Sequence, residues 1–441
     1  MKQSLLILFS LAALQVNAQF GEPVIIDSTP LSGSIKNLHT ADLDGDGFID
    51  IIVAQPYQTD NVAWYKNNGD GSFSERQIID SDLSDPVYIA TGDFNDDELL
   101  DIATITQTSA DVFVYFHNAD GTFTRQTIDS GTFVFGNAII AADFDSNGFD
   151  DIVAIGQHSI DYYRNVNGTF TKEHILTTDT SPNILECMSL KTADMDNDGD
   201  LDLVTGETLG GVIYFNNGNG VFTPDIFTID AFISRLVHII DANNDGDNDI
   251  LIHHTPGMLN LYLNNGTGEM TFHSTIFNET YLIESMQSAD FDNNGFMDIY
   301  TAFGNIARAY PNTGETGFED EIIVQVNDNI FITQTAVADL DNNGVDEYIW
   351  SGVNATLAYQ KNTVLGTEDF AINTLRLYPN PAKDKLYIAG NDISQTATIY
   401  NTLGQKVMAA ENTENGIDVS VLANGIYIME TGASRTRFIK E

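Results

Sequence analysis

A chain of 441 residues, 42% of them hydrophobic, has ample material for a large core, and a formal net charge of −46 argues against nucleic acid or an anionic membrane surface as a partner. Cys187 is the one cysteine, so no intramolecular disulfide can hold the chain together, and between Leu185 and Met188 it reads as a buried core thiol. Stability has to come from packing, strand pairing and bound metal.

The chain opens with Met1 and Lys2, an apolar run from Leu5 to Leu14, and the small-x-small triplet Val16-Asn17-Ala18. This is the pattern of a secretory signal peptide over residues 1–18, with a mature start expected at Gln19. The run is far shorter than the roughly 20 apolar residues that cross a bilayer, so no transmembrane segment is expected in the mature chain.

From Asp42 to Asp50 the sequence reads D-L-D-G-D-G-F-I-D, and this nine-residue pattern returns at Asp93, Asp143, Asp194, Asp241, Asp290 and Asp339. Carboxylates or amides stand at the first, third, fifth and ninth positions. A glycine stands at the sixth in most copies. Calcium takes six to eight oxygen ligands at about 2.3–2.6 Å, and alternate Asp or Asn side chains plus one main-chain carbonyl supply such a set. In the first loop Asp42, Asp44, Asp46 and Asp50 would contribute side-chain oxygens and Phe48 its carbonyl, while Gly47 permits the positive φ that bends the chain round an ion. Seven such loops hold 23 carboxylates at these positions, which repel one another without a cation.

The copies differ. The fourth loop (Asp194, Asp196, Asp198, Asp202) matches the first in charge. The third (Asp143, Asp145, Asn147, Asp151), fifth (Asp241, Asn243, Asp245, Asp249) and sixth (Asp290, Asp292, Asn294, Asp298) each substitute one Asn. The second (Asp93, Asn95, Asp97, Asp101) has Glu98 in place of the glycine, and the seventh (Asp339, Asp341, Asn343) ends in Glu347, whose longer arm can still reach an ion. Polar β-turns are the plainer reading of any single copy, but not of seven with one ligand spacing.

The period near fifty residues means repeated supersecondary units. Each unit reads as an apolar segment, the acidic loop, a second apolar segment, a variable loop, a third strand with Tyr, a Gly/Asn turn, and a fourth strand introduced by Phe. Four short strands per repeat is the composition of a propeller blade. The third-strand tyrosines are Tyr65, Tyr115, Tyr163, Tyr214, Tyr262, Tyr310 and Tyr359; the phenylalanines are Phe73, Phe123, Phe170, Phe222, Phe272 and Phe318. The phenylalanine missing from the last repeat stands at the N-terminus, where Phe20 to Asp27 parallels Phe73 to Asp80. The expected fold is all-β: a seven-bladed β-propeller over residues 19–363, closed by pairing of Phe20 to Asp27 with the seventh blade.

Repeats of the form A-D-F/L-D-x-D/N-G-x-x-D-I/L followed by Tyr-x-N-N-G-x-G-x-Phe resemble the FG-GAP/VCBS family and are similar to the calcium-bearing blades of integrin α-subunit propellers. The resemblance covers residues 20 to 363. It implies acidic loops on one face, partners on the opposite face, and up to seven structural Ca²⁺ ions.

Residues 364–374 read as a linker. Beyond it, Leu377 to Ala382 (L-Y-P-N-P-A), Lys385 to Ile388, Leu403-Gly404-Gln405 and Asn424-Gly425-Ile426-Tyr427 punctuate short strands of a small β-sandwich over residues 375–441. With the basic tail Arg435, Arg437 and Lys440, these segments resemble the type A sorting domain of the type IX secretion system of Bacteroidetes. That resemblance implies export by the signal peptide, then passage across the outer membrane through the secretion machinery as partner, with release or attachment at the cell surface.

A catalytic reading needs convergent acids, bases or nucleophiles outside the acidic loops. The eight histidines (His39, His117, His158, His174, His238, His253, His254 and His273) share no motif, and the adjacent His253 and His254 point to opposite faces of a strand. No nucleophile elbow, zincin helix or phosphate loop is evident. The expected function is a secreted or surface calcium-stabilised module that binds a protein or glycan, without catalysis. The alternative is a polysaccharide lyase or hydrolase with its carboxylates hidden among so many others. Candidate contact segments opposite the acidic loops are Gln55 to Asn61, Phe133 to Phe135, Gln157-His158, Phe232 to Arg235 and His254 to Met258, with Tyr57, Phe133, Phe135 and Arg235 as the contact-prone residue types.

Overall fold

The computed structural model describes residues 20–362, apart from 30–33, 57–61, 110, 131–135, 157–158, 178–186, 209, 229–232, 315–316, 327–329 and 354. It also describes 376–440, apart from 379–381, 384, 390–395, 402–405, 412–415, 423–424 and 432–433. The expected signal peptide and linker, Tyr57, Phe133, Phe135, Gln157-His158, Phe232, and the Pro379-Asn380-Pro381, Leu403-Gly404-Gln405 and Asn424 segments lie outside the described residues. Two compact units divide the chain, Met1–Gly366 and Thr367–Glu441.

The first unit consists of seven antiparallel four-stranded sheets. In the first blade the strands are Asn37–Ala41, Asp50–Ala54, Val62–Tyr65 and Gln77–Asp80, in that order. The second strand is buried throughout and, after Asp50, reads as an unbroken apolar run, because both of its faces meet protein; the fourth, Gln77–Asp80, is half-exposed. Successive side chains serve successive neighbours. Ile51, Val53 and Tyr65 pack with Ile349, Leu357 and Tyr359 of the seventh blade, whereas Ile52, Ala54 and Trp64 pack with Ile89, Ile102 and Tyr115 of the second. The core therefore lies between blades.

Closure is as expected. The seventh sheet combines Ile332–Ala338, Glu347–Gly352 and Leu357–Gln360 with the N-terminal strand Val24–Asp27, whose Val24 and Ile25 pair with Tyr359 and Ala358. Gly21 N–H donates to the Lys361 carbonyl at 2.9 Å, and Phe20 bridges Asn362. Asp27 also takes the place that Asp80 and Asp129 take elsewhere. Each ends an outer strand and accepts from the next blade's tyrosine hydroxyl: Tyr65 on Asp27 at 2.8 Å, Tyr115 on Asp80 at 2.8 Å and Tyr163 on Asp129 at 2.7 Å. A basic residue of that next blade completes each set: Arg76, Arg125 and Lys172 respectively.

Antiparallel order fixes the faces. The acidic loops join first to second strands, and the Asn/Gly turns join third to fourth, so both lie at one face. The second-to-third hairpins and the connections between blades lie at the other. First strands of all seven blades line an axial channel. Two of the proposed contact loops are shorter than the sequence implied: Ser234 and Arg235 already belong to the strand Ser234–Ile240, and Asp249–His254 and Met258–Asn264 leave a three-residue turn between them.

The second unit has a three-stranded sheet (Arg376–Tyr378, Lys385–Ala389, Ile417–Asp418) and a four-stranded one in the order Lys406–Glu411, Thr396–Asn401, Gly425–Thr431, Ser434–Lys440. Leu386 and Ile417 of the first meet Ala397, Ile399 and Met429 of the second in one buried cluster, which is sandwich packing. Among the described residues no helix is long and apolar enough to cross a membrane.

Candidate functional site

All seven acidic loops close on the same internal hydrogen bonds. The first-position Asp accepts the fifth residue's N–H on one oxygen at 3.0–3.2 Å, as Asp42 does from Asp46. Its other oxygen accepts the sixth residue's N–H at 2.7–3.1 Å, as Asp42 does from Gly47. Six sixth positions are glycines with φ between 84° and 95°; in the second loop Glu98 is held at 67°, so the loop keeps its shape despite the lost glycine. The fourth position is left-handed as well, which the ligand pattern alone did not indicate. Gly45, Asp96, Ser146, Asn197, Asn244, Asn293 and Asn342 all have φ of 55° to 70°, and most are residue types that tolerate that region.

The ninth-position acids are buried: Asp50, Asp101, Asp151, Asp202, Asp249 and Asp298 are 0% exposed and Glu347 1%. Each accepts from the main-chain N–H of the loop's second residue, Leu43 to Asp50 at 3.1 Å and Leu340 to Glu347 at 2.8 Å being two cases. Burial pushes Asp50, Asp151, Asp202 and Asp249 up to about 6, and Asp101, Asp298 and Glu347 up to about 7. Main-chain hydrogen bonds oppose the rise, and the other loop carboxylates add to it.

In five loops three carboxylates bring an oxygen each within 4.8 Å of one another: Asp42, Asp44 and Asp50; Asp143, Asp145 and Asp151; Asp194, Asp196 and Asp202; Asp290, Asp292 and Asp298; Asp339, Asp341 and Glu347. Buried oxygens there lack any hydrogen-bond donor: Asp44 Oδ1, Asp145 Oδ1, Asp341 Oδ1 and Glu347 Oε1. A buried acceptor without a donor is costly, and a hard cation is the partner that this donor set fits. The second and fifth loops carry Asn95 and Asn243 at the third position, whose amide nitrogens donate to Asp97 at 3.1 Å and Asp245 at 2.8 Å, and Asn95 Oδ1 is likewise left without a donor.

Sequence reasoning missed two features of this face. The residue just before the Asn that opens the third-to-fourth turn is basic in three blades, and there it reaches into its own loop: Lys66 onto Asp44 and, at 2.9 Å, Asp46; Arg164 onto Asp145; Lys361, which follows Gln360 rather than Tyr359, onto Asp341 at 2.7 Å. At the equivalent position the other blades have Phe116, Phe215, Leu263 and Pro311. The second feature is the Asn that follows. In five blades its N–H donates to the ninth-position acid, as Asn67 does to Asp50 at 2.7 Å, while its side-chain amide donates to the second-position carbonyl of the preceding blade's loop. These latches run Asn67 to Leu340, Asn165 to Phe94, Asn216 to Phe144, Asn264 to Met195, Asn312 to Ala242 and Asn362 to Phe291, at 2.7–2.9 Å. The second blade has His117 instead, stacked on Phe123 at 4.6 Å with its Nδ1 buried and unpartnered. The recurrent Asn in the turn motif was the available signal.

On the opposite face a groove of about 550 Å³ lies between the sixth and seventh blades. Phe303 and Tyr281 stack in parallel at 4.8 Å, Arg308 lies over the Tyr281 ring at 4.8 Å, and Phe331 stands 61% exposed beside them. Arg308 pairs with Glu321 at 2.8 Å, and its Nη1 is buried without a hydrogen-bond partner. His253 and His254, by contrast, are both fully buried within the fifth blade, and Cys187 is buried with its thiol 3.5 Å from Glu207.

An FG-GAP-like repeat model matches residues 42–104, 93–154, 143–205, 194–252 and 241–301, which together span more than half of the chain. The chain belongs to the FG-GAP-like repeat family. The sixth blade's remainder and the seventh lie beyond these matches and continue the same architecture. Residues 376–441 match a secretion system C-terminal sorting domain, the signal for type IX export to the cell surface or the extracellular space. No curated protein matches this FG-GAP-like chain.

Solved structures share its fold. A lectin of Agrocybe aegerita, described as recognising non-reducing terminal N-acetylglucosamine, aligns at TM-score 0.51 and 20% identity over 67% of this chain and 81% of its own. BBS1N, solved in complex with ARL6DN, aligns at 0.54 and 13% over 77% and 97%, and YCF48 from Cyanidioschyzon merolae at 0.52 and 11% over 77% and 98%.

Proposed function

We propose that this protein is a non-enzymatic binding module whose acidic loops hold structural calcium and whose groove between the sixth and seventh blades takes a glycan. The mature propeller would run from 19 to 363, followed by a linker over 364–374. The calcium reading rests on donorless buried oxygens in loops of common geometry, at the ligand positions from Asp42 to Glu347 given above.

The glycan reading rests on the groove. Flat aromatic surfaces on Tyr281, Phe303 and Phe331 suit the apolar faces of sugar rings, and the unpartnered Arg308 Nη1 supplies a donor for a ring hydroxyl or a sugar carboxylate. The lectin of the same fold supports the class of ligand without specifying the sugar. Binding of the calcium-loaded protein to an array of extracellular glycans, with Phe331→Ala and Arg308→Gln beside it, tests the proposal. Saturable binding that falls at least tenfold in both variants, with no new reducing ends or unsaturated products, is the expected outcome. Product formation from a bound polysaccharide would replace it with the lyase or hydrolase reading.

A further inference from the structure

The axial channel has a volume of about 490 Å³ and is lined by the first strands of all seven blades. In a chain of net charge −46, its charged lining is unexpected. Lys191 of the fourth blade is its one cation, and Glu284 its one carboxylate among the described residues. Lys191 lies three residues before its acidic loop and Glu284 six before its own, so the two are offset along the strands by about 10 Å, with Glu284 toward the opposite mouth. Most of the propeller's basic side chains are ion-paired: Lys66, Arg76, Arg125, Arg164, Lys172, Arg308 and Lys361 each meet a carboxylate. Lys191 meets none.

Its neighbours are donors. Lys191 is exposed to the channel, and partial desolvation by the channel walls holds its ammonium below the ordinary lysine range. Burial first, and the Lys191 charge second, hold His39 down to about 4 and His238 to about 3, so both imidazoles are neutral at neutral pH and each keeps one N–H. His39 Nε2 lies 3.0 Å from Thr91 Oγ1 on the channel wall, and His238 Nε2 lies 2.8 Å from Ser288 Oγ. An ammonium without an ion-pair partner, in a channel that Thr91 and His39 also line and close enough for its charge to act on His39 and His238, with no carboxylate at its depth, calls for a compact acceptor of several hydrogen bonds.

We propose that the axial channel binds one small tetrahedral oxyanion of the sulfate or phosphate class, held by the Lys191 ammonium with the Thr91 hydroxyl and the His39 ring beside it. The strongly negative exterior repels anions, so saturable binding points to this interior site rather than to the surface.

Sulfate is the probe, because phosphate precipitates calcium. Calorimetric titration of the calcium-loaded full-length protein should show one saturable site per chain, weakened at least tenfold in Lys191→Met and largely kept in Lys191→Arg. Crystals soaked in selenate should show one anomalous peak within hydrogen-bonding distance of Lys191 Nζ, a readout that does not depend on any variant folding. Absence of saturable sulfate binding, equal binding by Lys191→Met, or a selenate peak elsewhere overturns the proposal and leaves Lys191 as a channel-filling stem solvated by water.

Discussion

Lys66, Arg164 and Lys361 divide the acidic loops into two kinds. Where a basic side chain already lies on the third-position Asp, a calcium ion has to displace it; in the fourth and sixth loops it does not. Such half-exposed pairs are worth about 0.2–1 kcal/mol, so Lys66→Met should tighten the first loop for calcium by up to about fivefold, read as a shift in one component of a calcium or terbium titration. An unchanged titration would mean that Lys66 moves aside without cost.

Asp27 is the other residue with a distinct consequence. Burial raises its carboxyl pKa, but hydrogen bonds from Thr29, Arg76 and Tyr65 outweigh burial and hold it below the usual range. A depressed native pKa contributes stability that is present above the unfolded value of about 3.9 and is lost as pH falls through the native one. Asp27→Asn should therefore lower stability at neutral pH and narrow its gap to wild type below about pH 4, measured by denaturant unfolding across that range.

At the scale of the element, the Asn latch decides how neighbouring blades are joined. Six joints carry it, and the joint from the first to the second blade has His117, whose Nδ1 is unpartnered. Replacing a latch, as in Asn216→Ala, keeps the main-chain bond to Asp202 but leaves the Phe144 and Leu201 carbonyls without their side-chain donor, and should cost about 1–3 kcal/mol. His117→Asn offers the Leu43 carbonyl the missing donor and should add about 0.5–1.5 kcal/mol, minus the lost stacking on Phe123. Chemical denaturation of the two variants against wild type separates these signs.

The whole ring depends on closure and on charge. Without Phe20 to Asp27, the seventh sheet loses its outer strand and exposes the edge of Leu357–Gln360, so a chain starting at residue 28 should aggregate or unfold at far lower denaturant than one starting at 19. Chelation should lower the melting temperature of the intact protein. A site at tenfold excess of calcium over its Kd contributes about 1.4 kcal/mol, and several sites act together. Metal analysis after dialysis in millimolar calcium, with melting in chelator and in calcium, checks both parts; no bound metal and no shift would reduce the loops to turns.

The repeat period, the displaced phenylalanine strand and the regular ligand spacing were legible in the sequence, because each is a local pattern that recurs. Seven blades and ring closure by Phe20 to Asp27 follow from them, and the apolar neighbours Leu185 and Met188 marked the Cys187 thiol as buried. What joins one blade to the next was not legible. The latch from Asn67 to Leu340 spans 273 positions, and the basic residues that enter the acidic loops sit 20 or so positions away, on or just past the third strand. The groove of Tyr281, Phe303 and Phe331 and the channel around Lys191 likewise draw single residues from several blades, each unremarked in its own repeat. Spacing along the chain specifies a blade, since strand pairing and turn geometry are near-neighbour effects. Only closure of the ring decides which residues of different blades share a surface, because that proximity depends on blade count and register together.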